Sequence, residues 1–231
     1  MRTLSLGLFV LFAPLAGHAE AQCTASPSVT EAPVPAIPLP GQASSIVARA
    51  AVIEALAPTD PSRPQAMLEL ATAYRESGDR DSAIRTLARL IEAHPDWSSM
   101  DRVLLDLGRD LFVLGRGEQG RPVYMRLVSR YPASPWVAAV YAAFGDFYYG
   151  EGDFAVAVQF YERAASFPGP MLAYAHYRLA WARARLHEPG LTNDLERARV
   201  ALSSPGVLSS PALRTAIQTE GPTIAALARC P

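Results

Sequence analysis

The chain has 231 residues, half of them hydrophobic and 19% charged, with 21 basic against 22 acidic residues and a formal net charge of −1. That balance argues against nucleic acid as a partner, and the length is ample for one continuous core. Every basic residue is arginine and Asn193 is the sole asparagine, absences that fit a very GC-rich genome.

The N-terminus reads as a secretory signal over residues 1–21. Met1-Arg2 is a short basic start, Leu4 to Leu15 an apolar run, and Ala19-Glu20-Ala21 supplies small residues for cleavage. The run is too short for a stable transmembrane helix, so the mature chain is expected from Gln22 without a membrane span. With the composition, this predicts a protein exported to the periplasm or outer-membrane periphery of a Gram-negative bacterium. Leu15-Ala16-Gly17 has the look of a lipoprotein processing box, but His18 stands where the acylated cysteine belongs and the nearest cysteine is Cys23. Residues 22–41 carry Pro27, Pro33, Pro35, Pro38 and Pro40, a composition expected to give a disordered, extended arm. From Gln42 to Ala57 the period turns helical, with Ile46, Ala50, Ile53 and Ala57 on one stripe and Pro58 as the stop. This segment is expected to cap the helical domain, 42–231, that follows.

Four helical hairpins are expected next, over about 64–97, 101–133, 138–168 and 171–203. The third is the clearest. Val140, Tyr141, Phe144, Gly145 and Tyr148 share one helical stripe and Ala157, Phe160, Tyr161 and Ala164 another, with Gly152 placed for a positive-φ turn and Asp153 for an N-cap. Small Gly145 and Ala157 stand where the two helices would cross. A shift of 37 residues aligns Leu107-Gly108, Leu111, Gly115, Gly120, Tyr124 and Leu127 with that pattern, and a second shift aligns Leu70-Ala71, Tyr74, Gly78, Ala83, Leu87 and Leu90. A shift of 35 gives Leu179-Ala180, and the stretch His187 to Thr192 lengthens the last turn before the crossing Ala198. In the second hairpin Gly117, Gly120 and Pro122 crowd the second helix, and Pro122 suits its start rather than its interior. Past Pro205-Gly206, residues 209–229 are expected to form a C-terminal cap of one or two short helices bearing Leu213, Ile217, Ile224 and Leu227.

This periodic pattern resembles the tetratricopeptide repeat, with its small residue in each helix and its closing proline. The resemblance covers residues 64–203 and implies an all-α solenoid, a right-handed superhelix of about four hairpins. The connections His94-Pro95-Asp96-Trp97 and Tyr131-Pro132-Ala133-Ser134-Pro135-Trp136 are similar to those of periplasmic repeat proteins of the β-barrel assembly, Tol-Pal and gliding machineries. The family geometry implies that the residues one and four beyond each crossing position line a concave groove. These are Thr72 and Arg75, Arg109 and Phe112, Asp146 and Tyr149, Trp181 and Ala184, joined by Tyr174 and Tyr177. Arginine and large aromatics are the side chains that most often anchor a partner peptide. Two other readings stand beside this one: Tyr177 and Trp181 packed against the terminal cap, and Arg109 paired with Asp146. The lysine and asparagine with which some repeats of the family clamp a C-terminal carboxylate are missing, which disfavours that ligand.

No catalytic, cofactor or metal site is expected. His94, His176 and His187 stand apart from any cysteine or carboxylate at metal-ligand spacing, and there is neither a phosphate loop nor a nucleophile elbow. Cys23 and Cys230 bracket the mature chain, and an oxidising compartment favours a bond between them, with a tail-linked dimer and free thiols as alternatives. The expected function is a non-catalytic adaptor that binds a segment of an envelope protein. The alternative is a structural subunit of an outer-membrane, Tol-Pal-like or gliding-type complex, lipid-anchored through Cys23 and so peripherally membrane-associated.

Overall fold

The computed structural model describes residues 40–204, 207 and 211–227; the leader, all but the end of the arm, Cys23 and Cys230 lie outside them. Among the described residues all regular structure is helical, in the order α1 (Pro40–Ala55), α2 (Arg63–Glu76), α3 (Arg80–Ala93), α4 (Met100–Val113), α5 (Gly117–Arg130), α6 (Val137–Glu151), α7 (Phe154–Ala165), α8 (Leu172–Leu186), α9 (Leu191–Ala201) and α10 (Pro211–Leu227). They fall into two compact units, α1–α5 and α6–α10. The first unit holds the hairpins α2/α3 and α4/α5 with α1 against α2. The second holds α6/α7 and α8/α9 with α10 packed on both helices of the last pair.

Each hairpin closes on the small residues that the periodicity marks, and the closure is a matter of matched sizes. A methyl group added to Gly108 would lie 2.3 Å from the Tyr124 ring, and one added to Gly145 would lie 2.5 Å from the Tyr161 ring. Both tyrosines are almost wholly buried. At the equivalent positions of the first hairpin the pair is Ala71 and Leu87, both without exposed surface. A first helix that gives up its Cβ thus receives a ring, and one that keeps it receives a leucine. In the fourth hairpin Leu202 follows Ala198 by the same four residues that separate Tyr161 from Ala157.

The turns follow the same period. Gly78, Gly115 and Gly152 have φ of 86°, 72° and 82°, which only glycine adopts without Cβ strain. In the fourth hairpin His187 takes that place at φ 54°, and Gly190 at φ 98° opens α9. Asp79 and Asp153 then accept hydrogen bonds from the Ser82 and Val156 amides, covering an otherwise orphaned donor at each helix start. Arg116, one period from each, caps nothing with its side chain and instead bonds Gln119 and Asp81.

Two helices differ from the sequence-based expectation. α5 begins at Gly117, so Pro122 lies in its second turn rather than at its start, where the missing amide leaves the Glu118 carbonyl without its helical donor. α10 is a single helix that runs through Gly221-Pro222, because its apolar face of Leu213, Ala216, Ile217 and Ile224 is buried against α8 and α9.

Candidate functional site

On the first helix of each hairpin, the residues six and two before the crossing position, and one and five after it, fall on one stripe. The stripes are Gln65, Glu69, Thr72 and Glu76 on α2; Arg102, Asp106, Arg109 and Val113 on α4; Ala139, Ala143, Asp146 and Gly150 on α6; Tyr174, Arg178, Trp181 and Arg185 on α8. All are exposed or half-buried except Asp106. In the first unit, stripe residues of α2 and α4 line a cavity of ≈ 390 Å³ together with Arg49, Leu68 and Ala73. Of the residues one beyond the crossing, Thr72 lines this cavity, and Arg109, Asp146 and Trp181 lie on the equivalent stripes of their own helices.

Those four beyond the crossing take other places, and the reason is packing. Phe112 is buried, its ring stacked on Tyr124 at 5.1 Å within its own hairpin, and Ala184 is buried in the α8–α9 core. Arg75 and Tyr149 turn toward the neighbouring first helix. Arg75 donates from Nε to both carboxylate oxygens of Asp110, each at 3.0 Å, and Tyr149 lies under the Arg178 guanidinium at 4.5 Å. Position four past the crossing is a helix–helix contact rather than an open wall.

In the first unit's polar cluster the acids are buried, while Arg102 and Arg109 keep 40% and 45% of their side chains exposed. Asp110 has no exposed surface and takes a second arginine, Arg80, at 2.8 Å. Asp106, 1% exposed, accepts from Arg102 Nε at 2.9 Å, with Arg109 Nη1 at 3.2 Å and Arg75 Nη2 at 3.7 Å. The Arg75 Nη2 atom is itself buried. Arg102 is further held over the Trp136 ring at 4.9 Å.

The second unit has a comparable cluster with one open side. Tyr161 and Tyr174 donate to the two oxygens of Asp146, each at 2.7 Å, and Arg178 Nε donates to Asp146 at 2.9 Å and to the Tyr161 hydroxyl at 3.1 Å. Burial first, and the Asp146 charge second, hold the Tyr161 and Tyr174 phenols well above the usual tyrosine range. Arg178 keeps 22% of its side chain exposed, and its two terminal nitrogens make no hydrogen bond among the described residues.

The neighbouring aromatics meet α10. Tyr177 is buried and donates to Glu220, and Trp181 Nε1 donates to the same oxygen at 3.0 Å. Of the two readings of these residues, packing against the terminal cap describes their contacts. Arg109 and Asp146 each find a partner inside their own unit, Asp106 and Arg178. Sequence reasoning missed Arg178, Arg185 and Glu220. The first stands in the column Glu69, Asp106, Ala143, Arg178, which following the stripe one turn back from each crossing residue would have exposed.

Among the described residues no three His, Cys, Asp or Glu side chains are grouped to hold a metal, and no helix is long and apolar enough to cross a membrane. Family models of the tetratricopeptide repeat match residues 65–96 and 138–167. No curated protein matches the chain. Among solved structures, a crystal structure of MamA is 19% identical, with a TM-score of 0.56 over 69% of this chain and 88% of that one. Kinesin light chain TPR-like repeats from Podosopora anserina are 16% identical, with a TM-score of 0.51 over 73% of this chain and 96% of that one. At such identities the likeness shows the fold, and each unit folds as an all-α solenoid of this type. The fold suggests a protein–protein interaction scaffold, tetratricopeptide repeats being in general interaction modules without catalytic activity. The recurring small-residue crossings, the glycine turns and the two repeat matches agree: the chain carries tetratricopeptide repeats, matched at 65–96 and 138–167, within an all-α solenoid fold.

Proposed function

We propose that the chain is a non-catalytic adaptor, exported to the cell envelope of a Gram-negative bacterium, that holds a segment of another envelope protein on its first-helix stripes. The observation that carries the binding reading is the stripe of Tyr174, Arg178, Trp181 and Arg185 on α8 beside the small residues Ala139 and Ala143 on α6. An ordered arginine beside small residues, with half-buried Tyr174 and Trp181 on the same stripe, offers a partner an anchor. The step from fold to adaptor is one of analogy, since function lives in sites rather than folds. Export is supported by the basic start, apolar run and small-residue cleavage site of residues 1–21, and by the arginine-only composition.

Chemical cross-linking in intact cells, followed by capture of the tagged protein and mass spectrometry, tests this reading beside Arg109→Glu and Ala143→Arg variants. Both positions lie on the stripes, so loss of one envelope partner with helicity unchanged is the expected result. Equal capture by both variants would move the interaction to another surface. The mass of the mature N-terminus reports export directly: Gln22 as first residue supports the soluble form, an acylated Cys23 the anchored one, and an intact Met1 contradicts export.

A further inference from the structure

We infer that the partner segment presents an acidic side chain, and that Arg178 receives it. This rests on the reading that the first-helix stripes hold a partner. The motivating geometry is a guanidinium used on one edge only. Its Nε is tied to Asp146 and Tyr161, its Cζ lies over the Tyr149 ring at 4.5 Å from the centroid, and its two terminal nitrogens have no hydrogen-bond acceptor among the described residues while 22% of the side chain stays exposed. An arginine fixed in this way has already lost the rotamer freedom that binding would otherwise cost. What it still offers is a planar pair of donors matched to the two oxygens of a carboxylate.

The surroundings select in the same sense. Asp146 is surrounded by three donors, two phenols and Arg178 Nε, so it has little left to offer a basic partner. Ala143, half-buried, stands one turn before Asp146 on α6, so the α6 stripe carries only a methyl group there. A glutamate or aspartate of an extended segment fits there as a side chain. A bound C-terminal carboxylate is a different source of the same group, and the experiment separates the two.

The test uses the labelled full chain and NMR titration with blocked heptapeptides of alternating alanine and glutamate, glutamine or lysine, plus an unblocked alanine peptide. The expected result is a shift of the Arg178 Nε–H and Ala143 amide signals by the glutamate peptide, with affinity about tenfold above the glutamine peptide. Arg178→Lys, which keeps the charge and removes the planar fork, is expected to abolish that preference. Because Arg178→Lys also disturbs Asp146, Ala143→Glu serves as the second variant. It supplies the carboxylate from within the chain and is expected to block the peptide without lowering the melting temperature. Equal binding of glutamate and glutamine peptides, or glutamate binding that Ala143→Glu leaves intact, overturns the inference. So does preference for the unblocked alanine peptide, which would point to a C-terminus instead. A lysine peptide that shifts the same stripes overturns the acidic partner while leaving the adaptor reading standing. If no peptide touches the stripes the inference falls, and the cellular capture decides the adaptor reading separately.

Discussion

In α1–α5 the arginine that links two first helices, Arg75, gives its Nε to Asp110 and has its Nη2 buried against Asp106. In α6–α10 the polarity is reversed. The acid, Asp146, sits on the earlier helix and the arginine, Arg178, on the later one, with 22% of its side chain exposed and its terminal nitrogens unbonded among the described residues. The same bond, an arginine Nε to an aspartate on the adjacent first helix, is therefore a closed structural joint in one unit and a presented group in the other. What decides between them is the neighbour across the stripe. In the first unit a second aspartate and further arginines crowd around the joint; in the second, the place equivalent to Asp106 on α6 is Ala143. A buried ion pair contributes specificity at a solvation cost, and only where one edge stays open does it leave something for a partner.

The largest effects should come from breaking the joints. Asp110→Ala leaves Arg75 and Arg80 without their acceptor in an enclosed site, and a loss of about 3–5 kcal/mol in denaturant unfolding is expected. Asp146→Ala should cost less, about 1.5–3 kcal/mol, because Arg178 can turn its charge to water. Equal losses would mean that the two clusters are alike in enclosure.

Next in size is the hairpin closure. Gly108→Ala removes a poor helix former but drives a methyl into the Tyr124 ring, so a net loss of about 1–3 kcal/mol is expected. Adding Tyr124→Leu, which recreates the Ala71 and Leu87 pair of the first hairpin, should return most of it in the same melts. A double variant no more stable than the single one would show that ring and glycine are not matched as a pair.

Alkaline pH acts on the second unit. The Tyr161 and Tyr174 phenols have folded-state pKa values raised above their unfolded value, so the neutral form favours folding. That contribution is fully present below about pH 10 and is lost as pH rises from there toward the folded-state values. Tyrosinate absorbance should rise for these two only together with loss of helical signal; early, reversible titration in the folded protein would contradict their burial. The smallest effects belong to the caps. Asp79→Ala and Asp153→Ala should each cost about 1 kcal/mol, while Arg116→Ala, which caps nothing, should cost less.

Much of this fold was legible because the repeat exposes it three times over. A glycine at 78, 115 and 152 is a turn that recurs at one period, and the pairs Ala71/Ala83, Gly108/Gly120 and Gly145/Ala157 are a crossing that recurs with it. The helical stripe that holds the residue just beyond each crossing was legible for the same reason. The residue four beyond was not, because whether Arg75 or Phe112 faces a groove or a neighbouring helix depends on the side chains of that neighbour, and a single helix does not carry them. Arg178 escaped notice because its column holds an acid, an acid, an alanine and an arginine, with no chemical sameness for a period to reveal. Glu220 escaped because α10 follows the last repeat, outside the period altogether, and its Gly221-Pro222 reads as a break that tertiary burial overrides.

The most direct test of the central claim is site-specific photo-cross-linking in cells, with the reactive side chain placed at Ala143 on the open stripe or at Val200, an exposed apolar residue on the second helix α9. One envelope protein should be captured from Ala143 and nothing comparable from Val200. Capture from Val200 with none from Ala143 would place the partner on the opposite helices and contradict the stripe reading.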